Sequence, residues 1–463
     1  MKVIFKVNVL LICMIALASC DREAIPNQGI ENEYQKQSLS KEEVRALAEY
    51  YSPKRVSKNE AIETARDILQ ILEEDSSITK SGVSRTISDI TVIKRNLPKE
   101  DGTRNGFGED TLAYSISFGD GLGYTVLSAD HRSDAILAIC STGNPISSEE
   151  RDSTCGACVF YDNLEGYISQ QIEEAKEREA EYLEIALAKI AADTLRLRKE
   201  AESMRDTLSD QGTKCFYYSE RTTRSGWSLA GICGPLVNVC WHQRWPCNAE
   251  CPVVDGQNAV AGCVAVAAAQ VMSYWEKPSG YNWKEMKTYY DPNSNRVSSM
   301  GRGEIARLIH EVGVGCEMQY GLNGSSSTSD KVVRYFRNIG FHNAGSTGCY
   351  SNDRVLSSLK ARVPLLAGGY KGFLGFGGGH EWVIDGFRTF RRTVTVHVSW
   401  RFLWWGEDYT YSYDEYCNDV HCNFGWGGDQ DTPGCNGYYN SGAFSTVAGN
   451  FNWWTDCIYN VMP

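Results

Sequence analysis

The residues best placed to do chemistry lie in Gly256-Gln-Asn-Ala-Val-Ala-Gly-Cys263-Val-Ala-Val-Ala-Ala-Ala-Gln-Val-Met-Ser-Tyr-Trp275. Apolar residues at 264, 267, 268, 271, 272 and 275 have the spacing of a buried helical stripe. This places Cys263 in the first turn of a core helix. Unpaired N–H groups and the positive end of the helix dipole there favour thiolate over thiol. Such a cysteine either simply packs or is a nucleophile, and a nucleophile needs a base. Among the seven histidines, His380 follows the glycine loop Phe373-Leu-Gly-Phe-Gly-Gly-Gly379. It opens the apolar run Glu381-Trp-Val-Ile-Asp-Gly-Phe387, at the rim of an expected strand where a base can face a cleft. The bare backbone before it lets an extended peptide approach closely. His421, in His421-Cys-Asn-Phe-Gly-Trp-Gly-Gly428, is the rival base. His397 alternates inside a strand, and His131, His242, His310 and His342 lack comparable settings.

The elements that must position these groups fall in two regions. Ser57-Lys-Asn-Glu60 is a capping box opening a helix to about Leu72. Alternating stretches at 90–94, 112–118 and 124–129 follow, with Gly119-Asp-Gly-Leu-Gly123 as hairpin chemistry between the last two. This is a small α+β unit. Residues 164–208 are a charged run read as a long solvated helix, or helical pair, spacing two domains. Residues 209–230 are polar and contain Arg221 and Arg224, an exposed junction open to proteolysis. Beyond them the composition shifts to Gly, Cys and Trp. Helical pieces at 303–312 and 329–339 accompany the cysteine helix; strand-like runs follow at 363–368, 381–387, 393–400 and 409–413.

Four ordered motifs carry a family resemblance. Trp241-His-Gln243-x-x-Pro246-x-Asn248, Ala261-Gly-Cys263-Val-Ala-x-Ala-x-Ala-Gln270-Val-Met, Gly379-His380-x-Trp-Val-Ile-Asp-Gly386 and Asn423-Phe-Gly-Trp-Gly-Gly428 resemble the signatures of the streptopain family of papain-like peptidases. Residues 112–130 resemble the hairpin of streptopain-type propeptides, and the likeness covers about 50–160 and 230–463. The resemblance implies an α+β fold: a papain-like peptidase domain with a helical half carrying the nucleophile and an antiparallel β half carrying the histidine. A small α+β propeptide precedes it and covers the cleft. It further implies Cys263 as nucleophile, His380 as acid/base, and the Gln243 side chain with the Cys263 N–H as oxyanion donors. Asn423 would orient the imidazole and Trp426 would shield the pair. Phe424 stands where an indole is usual in the family. Cys247 replaces an aromatic, which suggests a local disulfide with Cys251. The charged run 164–208 has no counterpart in the family pattern.

Targeting and composition set the context. Lys2 and Lys6, an apolar core at 7–16 and Leu17-Ala-Ser-Cys20 form an export signal that resembles a bacterial lipobox, implying a lipid on Cys20. The expected plan is therefore a signal peptide at 1–19, a tether at 20–50 and a propeptide at 51–163. The charged helix at 164–208, the activation junction at 209–230 and the peptidase at 231–463 complete it. Of 17 cysteines, setting aside Cys13, Cys20 and Cys263 leaves an even fourteen, expected as disulfides in an exported protein. Cys247-x3-Cys251 lacks a second ligand pair for zinc, Thr154-Cys-Gly-Ala-Cys158 lacks a redox setting, and the Asp291 stretch fails as a calcium loop at Arg296 and Arg302. No metal or cofactor is expected. The formal charge of -12 argues against nucleic acid. The partners expected are protein or peptide substrates, the chain's own propeptide as intramolecular inhibitor, and a membrane through the lipid. The expected activity is that of a lipid-anchored or secreted bacterial cysteine endopeptidase made as a zymogen. The alternative is a catalytically inactive homologue acting as a binding or inhibitor lipoprotein. A transglutaminase-like acyl transferase is disfavoured, because Asp385 stands only five residues after His380.

Overall fold

Two capping boxes start the first helices. The Glu43 N–H donates to Ser40 Oγ (3.2 Å) and the Ser40 N–H to the Glu43 carboxylate (2.9 Å), opening α1 (Lys41–Tyr51). Ser57 and Glu60 make the same exchange (3.2 and 2.7 Å) at the start of α2 (Lys58–Glu74). The computed structural model describes residues 38–74, 85–95, 111–119, 121–146, 157–205, 216–287, 299–371, 379–402, 405–427, 436–445 and 453–463. The chain divides into two units, Met1–Ser38 and Leu39–Pro463, and every element described belongs to the second. The signal, Cys20, the tether to residue 37 and the loop 372–378 lie outside the described residues. The last part of the expected tether is instead α1, which buries Val44, Ala46, Leu47 and Ala48.

The three expected propeptide strands are β1 (Asp89–Lys94), β2 (Thr111–Ser117) and β3 (Tyr124–Ser128), joined by β4 (Ile136–Cys140) in an antiparallel meander. The charged run is one helix, α3 (Cys158–Arg205), and it is no solvated spacer. Its first turns bury Val159, Phe160, Leu164 and Ile168 in one core, and its middle buries Leu183, Ala186 and Ile190 in another. Serving two surfaces is why its apolar residues keep no single period. Its charges meet α1, with Lys189 to Glu43 at 2.8 Å and Arg178 to Glu49 at 2.9 Å.

The junction is also ordered where described. Residues expected to be open chain form β5 (Phe216–Arg224) and β6 (Ser228–Cys233), both paired antiparallel with β11 (Gly379–Phe402). A short ribbon of β7 (Val253–Val254) and β8 (Gln257–Asn258) precedes α4 (Cys263–Trp275). The helical half adds α5 (Trp283–Lys287), α6 (Ser299–Gly315) and α7 (Ser329–Asn338). After β9 (Gly345–Cys349) and α8 (Asn352–Lys360) come β10 (Leu365–Lys371), β11, β12 (Trp405–Asn423), β13 (Gly437–Asn440) and β14 (Trp453–Tyr459). Two expected strands, 381–387 and 393–400, are thus one strand. Arg388 can stay inside it because its guanidinium lies 4.0 Å from the Tyr438 ring centroid.

All these strands except β7 and β8 form one sheet, in the order β1-β2-β3-β4-β13-β12-β11-β10-β14-β9, with β5 and β6 on β11. The β1–β4 meander joins the C-terminal strands directly, through Tyr438 opposite Ile139 and Tyr439 opposite Ala138. One face packs against α4 through Leu366, Val383 and Ile458. The other packs against the start of α3 through Trp382, Ile384 and Cys457.

Candidate active site

Cys263 is the first residue of α4. Gly262 before it has φ +89, and a Cβ there would collide with the Met318 side chain and the Ser325 carbonyl, so only glycine fits. Residues 264–273 are all buried, more than the single stripe the spacing predicts, because the alanines let neighbours close in on every side. As the first helical residue, Cys263 has an N–H without an intrahelical acceptor. Gln243 lies nearby: its carbonyl accepts the Ala261 N–H at 2.9 Å. Its own side chain is 5% exposed and has no hydrogen-bond partner among the described residues. The Gln243 side chain is therefore uncommitted, while the Cys263 N–H faces its own sulfur.

His380 is the second residue of β11, opposite Gly369. Side chains alternate along a strand, so His380, Trp382 and Ile384 share one face while Glu381, Val383 and Asp385 share the other. The helix that begins with Cys263 packs on the Glu381 face. The imidazole lies in the other layer, 4% exposed, nearly parallel to Trp426 at 6.2 Å and to Trp382 at 6.4 Å. His380 Nε2 is 2.8 Å from the Phe424 carbonyl oxygen. A carbonyl only accepts, so Nε2 carries the proton and Nδ1 is the basic nitrogen. Among the described residues no hydrogen bond joins Cys263 to His380. The two expected partners are thus reached from opposite faces of the sheet.

The electrostatics agree with this division. Burial pushes the Cys263 thiol from 9.0 up to about 11, which outweighs the lowering by the Glu381, Val264 and Cys263 N–H groups. This corrects the expectation of a thiolate at the helix start: without an imidazolium beside it, the enclosed sulfur keeps its proton. Burial lowers His380 from 6.5 to about 4, against the Phe424 hydrogen bond. On the α4 face, Glu381 and Asp456 flank Gly368 in one cross-strand row. Burial raises them to about 8 and about 6, the repulsion of Asp456 adding to the first and Ser329 hydrogen bonding opposing both.

Residues 241–439 match the model of the Peptidase C10 family. The chain is streptopain-like. It is 24% identical to streptopain of Streptococcus pyogenes serotype M1 over 454 residues, covering 86% of this chain and 91% of that protein. It is 25% identical over 253 residues to the thiol protease/hemagglutinin PrtT of Porphyromonas gingivalis, covering 47% of this chain and 25% of that one. Among solved structures it is similar to a fragment of prointerpain A from Prevotella intermedia, at 19% identity and a TM-score of 0.46, covering 81% and 99% of the two chains. The streptopain-like chain is a cysteine-peptidase homologue.

Other site residues in this streptopain-like frame differ from expectation. Asn423 does not hold the imidazole: its amide donates to the Val239 carbonyl at 2.8 Å and accepts the Gly425 N–H at 3.2 Å. The Phe424 carbonyl takes that role, a backbone group no motif reveals. His421, the rival base, is committed to Asp385 at 2.6 Å. Trp382 was missed, although its place two residues after His380 puts it on the same strand face. Gln270, named above only as a motif residue with no role, accepts the Trp241 N–H at 3.0 Å. The disulfide expectation fails among the described residues. Cys233, Cys247, Cys251, Cys263, Cys316, Cys349, Cys417, Cys422 and Cys457 are free thiols. Most are buried and pack as small apolar groups, so an even count carried no pairing information. Cys247 and Cys251 line the helical core, with thiols pushed by burial up to about 12 and about 11. Cys20 lies outside the described residues.

Proposed function

We propose that the chain is the zymogen of an exported, lipid-anchored bacterial cysteine endopeptidase. The observation that carries the reading is the placement of the propeptide helix on the histidine's side of the sheet. Val159 of α3 is buried there, and a Cβ added to Gly369, the partner of His380, would lie 3.1 Å from it. While α3 holds that face, His380 stays in the layer away from α4. Once the propeptide leaves, the first residues of β11, beginning with Gly379, can turn.

In the turned state Nδ1 of His380 takes the Cys263 proton, giving a thiolate–imidazolium pair. The sulfur attacks the scissile carbonyl, and its oxyanion receives hydrogen bonds from the Gln243 amide and the Cys263 N–H. The imidazolium then protonates the leaving amine as the C–N bond breaks. Water, deprotonated by the same imidazole, releases the acyl group and restores the thiol. Trp426 and Trp382 keep the imidazole dry on both sides. The substrates are proteins and peptides, and the chain's own propeptide inhibits through its high effective concentration.

Export and anchoring rest on the signal ending at Cys20; among the described residues no helix is long and apolar enough to cross a membrane. The pairing of β5 and β6 to β11 narrows the activating cut. A protease must hold its substrate extended and unpaired, so the cut is expected on the amino-terminal side of Phe216, leaving both strands with the peptidase. N-terminal sequencing of the matured enzyme tests this. A mature chain that starts after Phe216 would overturn it.

A further inference from the structure

The segment 234–243, between β6 and the oxyanion donor Gln243, has no regular structure up to its last residues, yet its backbone is held along its length. The Leu236 N–H donates to the Asp385 carbonyl at 2.9 Å, and the Val237 N–H to Asp385 Oδ2 at 2.8 Å. The Val239 carbonyl accepts from Asn423, and the Trp241 N–H donates to Gln270, whose helix begins with the nucleophile. Asp385 is fully buried, and its remaining oxygen, Oδ1, lies 2.6 Å from His421 Nδ1. A carboxylate enclosed with one N–H partner is costly, so the imidazole both satisfies Asp385 and fixes the direction in which it holds Val237. The proton on Nδ1 also removes His421 from any role as base at that nitrogen.

We infer that His421 and Asp385 are a positioning pair for the oxyanion donor, acting through the 234–243 segment on Gln243. The inference rests on the peptidase reading of Gln243. An oxyanion exists only in the transition state and intermediate, so a misplaced donor lowers kcat and leaves KM nearly unchanged. A pair that merely stabilised the sheet would instead lower the amount of folded enzyme, with kcat per active site constant.

The test is a double-mutant cycle on the matured enzyme, with active sites titrated and kcat and KM measured on a peptide substrate. His421→Ala is expected to lower kcat about tenfold, a fraction of the ~10²-fold typical of losing one oxyanion donor outright. In a Gln243→Ala background the same substitution should cost less than twofold, because there is no donor left to misplace. Asp385→Asn, which keeps the shape if His421→Ala folds poorly, should follow the same pattern, and His421→Gln, with an amide N–H, should restore most of the rate. A tenfold loss that persists without Gln243, or an unchanged kcat, overturns the inference. No loss on Gln243→Ala alone removes Gln243 from the site, and the inference with it.

Discussion

In the full-length chain at pH 7, Cys263 is expected to react with iodoacetamide about tenfold more slowly than an ordinary cysteine. Raising the thiol from 9.0 to about 11 cuts the thiolate fraction by two powers of ten. Only the thiolate attacks. A more basic thiolate is also a better nucleophile, with a Brønsted slope of about 0.4–0.5, and this returns a little under one power of ten. The net is about tenfold, before the enclosure of the sulfur slows it further. In the matured enzyme the His380 imidazole should take the thiol's proton, and the resulting thiolate–imidazolium pair should reverse the order. The assay is timed alkylation followed by mass spectrometry of the Cys263 peptide, with exposed Cys349 as internal comparator. Faster labelling of Cys263 than of Cys349 in the uncut chain would refute the reasoning.

Gln243→Ala in the matured enzyme should lower kcat by about 10²-fold, the usual cost of one oxyanion donor; no loss would remove the residue from the site. The precursor should lose stability as pH falls from about 6.5 toward 4. Burial lowers His131 from 6.5 to about 4, with Arg224 and Arg392 reinforcing and Glu60 and Glu415 opposing. The folded state thus binds the proton less readily than the unfolded chain, and the stability present above pH 6.5 is lost below it. Thermal unfolding across pH should show this slope in the native chain and a weaker one in His131→Gln; equal slopes would contradict it. Thiol titration of denatured, unreduced protein should find at least the nine free thiols named above. Substantially fewer would revive the disulfide reading.

The sequence made the parts of the site legible and left their arrangement out of reach. Gly262-Cys263 ahead of a small-residue helix, and His380 at the start of an apolar strand, are local patterns, and both stand where expected. Period-two alternation along the strand is enough to put His380 and Glu381 on opposite faces. Which of the two faces the cysteine helix covers is a long-range fact, settled by Leu366, Val383 and Ile458, and no local pattern encodes it. The same limit explains Asn423 and His421. Their types suit imidazole and base chemistry, but their partners, Val239 and Asp385, come from a segment nearly two hundred residues away and from a neighbouring strand. The polar junction misled for a related reason: a strand such as β5, paired on β11 alone, needs no apolar period of its own.

The central claim is that Cys263 and His380 form a catalytic pair that the propeptide holds apart. Casein hydrolysis measures it most directly, using the native chain, Cys263→Ala and His380→Ala, each before and after one cut by added protease on the amino-terminal side of Phe216. The account predicts activity in the cut native chain alone, with the uncut chain and both cut variants silent. Undiminished hydrolysis by the uncut native chain, or by either cut variant, would contradict it.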